Sequence, residues 1–199
     1  MASSLSPTIV NVGYRSTNFW VVSAGRNRLL VDLGWPGRAA ALFANLDRMG
    51  VPLSEIRYGM ATHYHIDHAG AAQDLKLRGV PLLVLEEQVS AIPLMKQWTK
   101  AADHYTEITT HDNIVIPTAA SRPFLKRIGI DGEVLHTPGH SDDSVSLVLD
   151  IGCAFTGDLT MEHMVATEDP LVVARSWQLL RDRGVTTIYG GHGQPYYLG

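Results

Sequence analysis

The stretch that decides the fold is His63-Tyr64-His65-Ile66-Asp67-His68, which follows the short apolar segment 58–62. Four of these six side chains can bind a metal, and imidazole and carboxylate are ligands that zinc, iron and manganese accept. In an extended segment His63, His65 and Asp67 would point to one side and His68 to the other. The spacing therefore predicts two adjacent metal sites, one using His63 and His65 and the other using Asp67 and His68. A polar turn that enters a helix is the alternative interpretation.

Three further candidate ligands follow strand-like segments and are flanked by glycine. His140 ends His136-Thr137-Pro138-Gly139-His140, Asp158 ends Phe155-Thr156-Gly157-Asp158, and His192 lies in Gly190-Gly191-His192-Gly193. Glycine lets the backbone pass close to a crowded centre, and strand-end loops often present functional side chains. We expect these three residues to complete the metal centre. The remaining histidines fit no such pattern and are predicted to be surface or hydrogen-bonded residues: His104, His111, His136 and His163.

The composition predicts one globular domain over residues 1–199. The chain is 45% hydrophobic and 18% charged, with a net charge of −4, so electrostatics give no argument for a nucleic-acid partner. Cys153 is the single cysteine and lies in an apolar run, which predicts a small buried side chain. No segment has the pattern of a signal peptide or of a membrane span, so a cytoplasmic location without a membrane partner is expected. The oligomeric state is left open.

Strands and helices are predicted to interleave along the chain. β-branched and aromatic runs predict strands at residues 8–12, 18–23, 28–33, 58–62, 81–85, 134–136, 144–149, 153–156 and 185–189. Apolar stripes at helical spacing predict helices at 36–49 and 67–78, and a last helix that Asp169 caps, Pro170 begins and Gly184 ends. Segment 86–129 is the hardest to interpret, because Pro93 interrupts a helical composition and residues 100–118 are polar.

The order of the motifs resembles the metallo-β-lactamase superfamily. His-x-His-x-Asp-His is followed by Gly-His, Gly-Asp and Gly-His-Gly, and the resemblance runs from about residue 8 to residue 192. Asp32, in Leu30-Val31-Asp32-Leu33-Gly34, matches the acidic residue that this family keeps beside the metals. The resemblance implies an α/β (α+β) fold, a four-layer αββα sandwich with the metal ligands at one edge. It also implies that segment 86–129 overhangs the site and helps to choose the substrate.

The resemblance further implies how the ligands are divided. His63, His65 and His140 would hold one metal, Asp67, His68 and His192 the second, and Asp158 would bridge them. The expected cofactors are two divalent transition metals, with zinc expected first and iron or manganese as alternatives. A water between two dications loses a proton near neutral pH, so a metal-bridging hydroxide is the expected nucleophile. Asp67 is the predicted catalytic residue, which would orient that hydroxide or carry a proton.

Departures within the family narrow the expected chemistry to a hydrolase of a small ester, thioester or lactone. Asp158 stands where true β-lactamases carry Cys or Ser, and the few residues after His192 leave no room for the glutathione-binding domain of glyoxalase II enzymes. Trp35 and Tyr189 are candidate neighbours of a small, partly hydrophobic acyl group, although either residue could belong to the core. A persulfide dioxygenase with one iron, a β-lactam or phosphodiester hydrolase, and a non-catalytic protein with a structural metal remain alternatives.

Overall fold

A computed structural model describes residues 7–198 and contains two main β-sheets. The first sheet has the order β1-β2-β3-β4, formed by Thr8–Asn11, Trp20–Ala24, Asn27–Val31 and Ile56–Met60. The second sheet has the order β11-β10-β9-β8-β7, in which β7 to β11 are Gly132–His136, Val145–Leu149, Cys153–Gly157, Thr187–Gly190 and Tyr196–Tyr197. A small parallel pair, β5 (Leu83–Leu85) and β6 (Ile114–Ile116), continues beyond β4 through a bridge between Gly59 and Leu82.

Each main sheet contains one parallel pair of strands, and these pairs determine where the site lies. β3 runs parallel to β4, and β9 runs parallel to β10, whereas the other pairings within the two main sheets are antiparallel. The carboxyl ends of parallel neighbours meet at the same edge of a sheet. The segments after these four strands carry Asp32, the His63 motif, Asp158 and His192, so the backbone brings all of them to strand ends.

The sheets pack face to face with helices outside, which confirms the predicted αββα sandwich. The helices are α1 (Ala39–Arg48), α2 (Ile66–Ala69), α3 (Ala72–Leu77), α4 (Ser121–Lys126) and α5 (Pro170–Asp182). Along β2, Val22 belongs to the cluster between the sheets, and Val21 belongs to the cluster that contains Leu42 of α1. Along β9, Phe155 lies between the sheets, and Ala154 packs with Trp177 of α5. This alternation is what a strand covered on both faces requires.

The helix predicted over residues 67–78 is wrong in one respect, because the chain forms α2 and α3 with a break at Gly70 and Ala71. The break occurs where Gly70 and Ala71 pack against the loop after β3. The N–H of Ala71 donates to the carbonyl of Gly34 at 3.2 Å. A Cβ at Gly70 would lie 2.3 Å from Cδ of Pro36, so only glycine permits this approach.

The other differences between prediction and structure concern the start of one helix and several short elements. The helix predicted over 36–49 begins later, at Ala39, and residues 86–98 form two 3-10 turns, Glu86–Gln88 and Ile92–Trp98, with Pro93 near the start of the second. Strands β6 and β11 and helix α4 were not predicted. The predicted cap of the last helix is confirmed, since Asp169 accepts a hydrogen bond from the N–H of Leu171 at 2.8 Å. No helix among residues 7–198 has the length and apolar character needed to cross a bilayer.

Candidate metal centre

All seven predicted ligands converge at the strand-end edge. They form two groups, and within each group the candidate ligand atoms lie within 4.8 Å of one another. The first group consists of His63, His65 and His140, and the second of Asp67, His68, Asp158 and His192. His63 and His65 come from the loop after β4, Asp67 and His68 from α2, and the other three from loops that follow β7, β9 and β10.

The conformation expected for the histidine motif needs one correction. β4 ends at Met60 and α2 begins at Ile66, so Asp67 lies on a helix and not on an extended segment with His63 and His65. The helical turn separates Asp67 from these two histidines and places it beside His68 in the second group. The motif is divided between the two groups, although the backbone geometry that divides it differs from the extended segment that was expected.

Asp158 lies between the two groups. Its Oδ1 is 3.3 Å from Nε2 of His68, and its Oδ2 is 3.3 Å from Nε2 of His192. The same Oδ2 is 3.9 Å from Nε2 of His140, a member of the first group. One carboxylate therefore faces imidazole nitrogens from both groups, which is the position that a bridging ligand requires.

Unpaired buried atoms show that the centre suits cations. Among residues 7–198, Nε2 of His63, Nε2 of His68 and Oδ1 of Asp158 are buried without a hydrogen-bond partner. Buried polar atoms in folded proteins nearly always have a partner, so three such atoms in one centre need an explanation. Nitrogen and carboxylate oxygen are the donor atoms that zinc, iron and manganese bind. The residues present therefore fit divalent metals.

The electrostatics of the two groups differ. Burial, followed by repulsion from His68 and the other histidines, holds the pKa of His63 well below its usual value, which favours the neutral imidazole that a metal needs. Burial also opposes charge on His68, but the carboxylates of Asp32 and Asp158 outweigh it and raise the pKa of that imidazole. Burial likewise opposes ionisation of Asp158, yet His68 and the other imidazoles lower its pKa overall. Around His68 and Asp158, the second group therefore favours a positively charged species next to an ionised carboxylate.

Asp32 orients the imidazole of His68 through a buried hydrogen bond. Its carboxylate is buried, accepts the N–H of Thr62 at 2.8 Å and lies 2.9 Å from Nδ1 of His68. The Thr62 hydroxyl also donates to it at 2.9 Å. Because a carboxylate can only accept, Nδ1 of His68 carries the proton of this hydrogen bond. Nε2 of His68 then faces the other candidate ligands of the second group. Asp32 itself has φ of 65°, an uncommon conformation for a residue other than glycine. The structure thus places Asp32 beside the predicted ligands.

The turn at residues 14–17 also contacts the second group, and this contact was not predicted from the sequence. The Thr17 hydroxyl donates to Oδ2 of Asp67 at 3.1 Å, and Nε1 of Trp35 donates to that hydroxyl at 3.2 Å. Nδ1 of His192 lies 2.7 Å from the carbonyl of Ser16. The only available signal was a polar Thr-Asn pair directly ahead of an apolar strand. The turn therefore orients two residues of the second group.

Gly191 allows the chain to approach the ligands closely. A Cβ at this position would lie 2.3 Å from Oδ1 of Asp158 and 2.5 Å from Cε1 of His68. Gly157 has φ of 54°, and a Cβ there would lie 2.2 Å from Oγ1 of Thr62. Gly157 and Gly191 thus stand where any larger side chain would displace a candidate ligand or its support.

The other candidate residues are placed as follows. Trp35 is half-buried and donates a hydrogen bond to Thr17. Tyr189 packs against Trp20 and Phe155, with 5.0 Å between ring centroids in each pair. Tyr189 thus has the core position that the sequence left open. His136 is hydrogen-bonded through Nε2 to a backbone carbonyl at 2.7 Å, as an ordinary histidine would be.

Asp143 is a further residue that the sequence did not single out. Its buried carboxylate accepts the N–H of Tyr64 at 2.7 Å, inside the histidine motif. It stands three residues after His140, so it links the loop after β7 to the loop after β4. The two loops that supply the first group are therefore joined by a buried hydrogen bond.

A cleft of about 370 Å³ opens beside the centre. Its lining includes His140, Asp158 and His192. Four large, mainly apolar side chains also line it: Leu159, Met161, Met164 and Tyr196. The cleft can therefore place an apolar group next to the candidate ligands.

Comparison with known proteins gives one family. The family model described as the metallo-beta-lactamase superfamily matches residues 12–192. The Atrochrysone carboxyl ACP thioesterase of Claviceps purpurea (strain 20.1) is 30% identical over 187 residues, which cover 90% of this chain and 52% of that protein. The Beta-lactamase-like protein 2 homolog of Drosophila melanogaster is 29% identical over 183 residues, covering 90% of this chain and 59% of that protein.

The chain spans about half the length of the curated relatives that it matches. Among solved structures, TTHA1623 in a di-iron-bound form superposes with a TM-score of 0.73 at 22% identity, and the match covers 96% of this chain and 94% of that one. At this identity the likeness establishes the shared fold.

Proposed function

We propose that this chain, which belongs to the metallo-beta-lactamase superfamily, is a metal-dependent hydrolase that cleaves a small ester, thioester or lactone. The observation that carries the proposal is the pair of ligand groups joined by Asp158, with three buried ligand atoms that lack a partner among the described residues. We propose two divalent metals, zinc first and iron or manganese as alternatives. His63, His65 and His140 would hold one metal, Asp67, His68 and His192 the other, and Asp158 would contact both.

Metals bound there would polarise a substrate carbonyl and make water easier to deprotonate. The protein's own residues then have separate tasks. Asp67 is the proposed catalytic residue, because its carboxylate stands in the second group and can accept or return a proton. The hydrogen bond from Thr17 fixes one oxygen of that carboxylate, and Asp32 fixes the imidazole of His68. The reacting groups are thus held in place before a substrate arrives, which reduces reorganisation during the reaction.

The cleft supports an acyl substrate. Leu159, Met161 and Met164 border the centre on one side, so an acyl chain could lie against them while its carbonyl faces the ligands. Methionine is flexible and adapts to chains of different shape. The thioesterase name of the Claviceps purpurea relative agrees with this proposal.

A substrate panel tests the proposal. The protein would be loaded separately with zinc, manganese and iron, and assayed with S-acetylpantetheine, 4-nitrophenyl acetate, a δ-lactone, bis(4-nitrophenyl) phosphate and penicillin G. We expect turnover of at least one ester, thioester or lactone, and little turnover of the phosphodiester or of penicillin. Penicillin hydrolysis with esters and lactones untouched would reject the proposed substrate class, and oxygen consumption with glutathione persulfide would favour a dioxygenase.

Two matched histidine variants show whether any turnover arises from the proposed centre. His140→Gln removes a predicted ligand, whereas His111→Gln removes an exposed histidine outside both groups. We expect loss of metal and turnover in the first variant and no change in the second. Equal losses in both, or in neither, would show that the activity does not depend on this centre.

A further inference from the structure

We propose that a second cavity beside the metal centre binds an anionic group of the substrate, a carboxylate or a phosphate, through Arg15 and Arg38. The inference rests on the proposed function, because it adds the charge of the substrate to the reaction proposed above. The cavity measures about 250 Å³ and lies apart from the apolar cleft. Its walls come from three segments: Arg15 in the turn 14–17, residues 35–38 ahead of α1, and Ala102, Asp103 and His104, with Ile66 at the inner end.

Within the described part of the chain, the two arginines have no acidic partner. Among residues 7–198, Arg15 and Arg38 take part in no ion pair, whereas Arg26 and Arg28 both pair with Glu55. Asp103 is the one acidic residue among those that line the cavity, and its carboxylate accepts the N–H of Lys100 at 2.7 Å. Two unpaired guanidinium groups beside one engaged carboxylate leave a positive excess in this cavity. Guanidinium groups match carboxylate and phosphate in shape as well as in charge.

Arg15 is held in an unusual conformation. Its φ is 59°, in the left-handed region where glycine is normally preferred, at the tip of a tight turn closed by hydrogen bonds between Tyr14 and Thr17. Its guanidinium lies 5.2 Å from the centre of the Trp35 ring and 5.6 Å from that of Tyr14. Stacking on two aromatic rings restricts an otherwise flexible side chain. An arginine held in this way loses less entropy when an anion binds.

The cavity shares a wall with the metal centre. Ile66 lies between the ligands His65 and Asp67 in the chain. Trp35, in the same wall, donates to Thr17, which in turn donates to Asp67. A small substrate can therefore place an anionic group in the cavity while its carbonyl lies over the ligands.

Segment 86–129 contributes one side of the cavity, and Gly37 makes this contact possible. Gly37 has φ of 64°, and a Cβ there would lie 2.6 Å from the carbonyl oxygen of Asp103. Residues 102–104 thus pack directly against the loop that precedes Arg38.

The test compares substrates that differ only in the anionic group. Mono-4-nitrophenyl glutarate is paired with 4-nitrophenyl pentanoate, which places the charge on the acyl part, and S-acetyl-4′-phosphopantetheine is paired with S-acetylpantetheine, which places it on the leaving group. We expect wild-type protein to prefer the anionic member of at least one pair in kcat/KM. The double variant Arg15→Gln/Arg38→Gln should lower that preference about tenfold or more, mainly through KM. The pair that responds identifies which end of the substrate enters the cavity.

Arg48→Gln is the matched control, since Arg48 is an exposed arginine at the other end of α1. It should leave both preferences at the wild-type ratio. An equal preference in wild type and double variant, or no anionic preference in wild type, would overturn the inference.

A binding measurement separates failure of this inference from failure of the proposed function. Glutarate and pentanoate would be titrated calorimetrically into metal-loaded protein, which requires no turnover. We expect glutarate to bind more tightly to wild type and this advantage to disappear in the double variant. If no substrate is hydrolysed but the advantage behaves as expected, the cavity is an anion site and the proposed hydrolase activity is wrong. If hydrolysis occurs, neither substrate pair shows an anionic preference and glutarate has no such advantage, the anion site is wrong and the hydrolase stands.

Discussion

Replacing Gly191 with alanine should disrupt the second ligand group without removing any ligand. The new Cβ would lie 2.3 Å from Oδ1 of Asp158 and 2.5 Å from Cε1 of His68. Comfortable contacts between heavy atoms are about 3.5 Å, so these side chains would have to move by roughly 1 Å. Gly191 is not among the glycines with positive φ, so alanine meets no backbone strain there. The perturbation is therefore a displacement of two ligands by a single methyl group.

The size of the effect follows from that displacement. A misplacement of 1 Å can cost about 100-fold in rate, and overpacking of this kind costs about 1–3 kcal/mol of stability. We expect Gly191→Ala to fold, to bind metal at the second group at least about tenfold more weakly, and to turn over substrate about 100-fold more slowly. Metal content after dialysis against a graded series of chelator measures the first effect. Circular dichroism during heating measures the stability.

Gly193→Ala is the matched control, two residues further along the same loop. Gly193 has φ of 75°, and a Cβ there would have no atom within 4 Å. Alanine at this position should cost about 1–2 kcal/mol of stability through backbone strain, while metal content stays at the parent level. Parent-like metal affinity in Gly191→Ala, or equal loss in both variants, would refute the view that contact with Asp158 and His68 sets the geometry.

Two further changes test other parts of the centre, and a reactivity measurement tests the burial of Cys153. Asp32→Asn should weaken metal binding at the group that contains His68 about 10–100-fold, as measured by chelator competition, because it removes the carboxylate that orients the imidazole; unchanged affinity would contradict this role. Asp158→Ala should lose metal from at least one group and lower kcat by about 10³-fold or more, and anomalous scattering that still finds both metals would exclude bridging by this residue. Burial raises the pKa of Cys153 to about 11, so its thiol should not react with a disulfide reagent at pH 8 until guanidinium unfolds the chain; rapid reaction of native protein would contradict the burial. Because this pKa lies above the ordinary value of 9.0, the associated stability is present below about pH 9 and declines as the pH rises towards 11.

Ligand positions could be predicted because each ligand follows a strand of readable pattern. His63, Asp158 and His192 come after short apolar runs, and the glycines beside them indicate a crowded backbone. The two parallel strand pairs then bring these strand ends together. Local sequence was therefore enough to select the candidate ligands, even though the helix that carries Asp67 was placed one residue late and made too long.

Contacts between distant segments could not be predicted in the same way. Ser16 and His192 are separated by 176 positions, and their hydrogen bond depends on how the first turn packs against the last loop. The break between α2 and α3 likewise depends on Gly34 and Pro36, which belong to another loop. Strands β6 and β11 are only three and two residues long, so neither carries a measurable alternation. These features arise from tertiary packing and have no local signature.

The turn 14–17 connects the two proposed sites. Ser16 and Thr17 orient His192 and Asp67 of the second ligand group, while Arg15 at the tip of the same turn lines the anion cavity. Asn18, directly after the turn, donates to the carbonyls of Gly190 and Gly193. These two hydrogen bonds fix the loop that carries His192 to the segment that follows the turn. A movement of this turn would therefore change metal geometry and anion binding together. Since both depend on the same hydrogen-bonded turn, a substrate held by its anionic group would be positioned relative to Asp67.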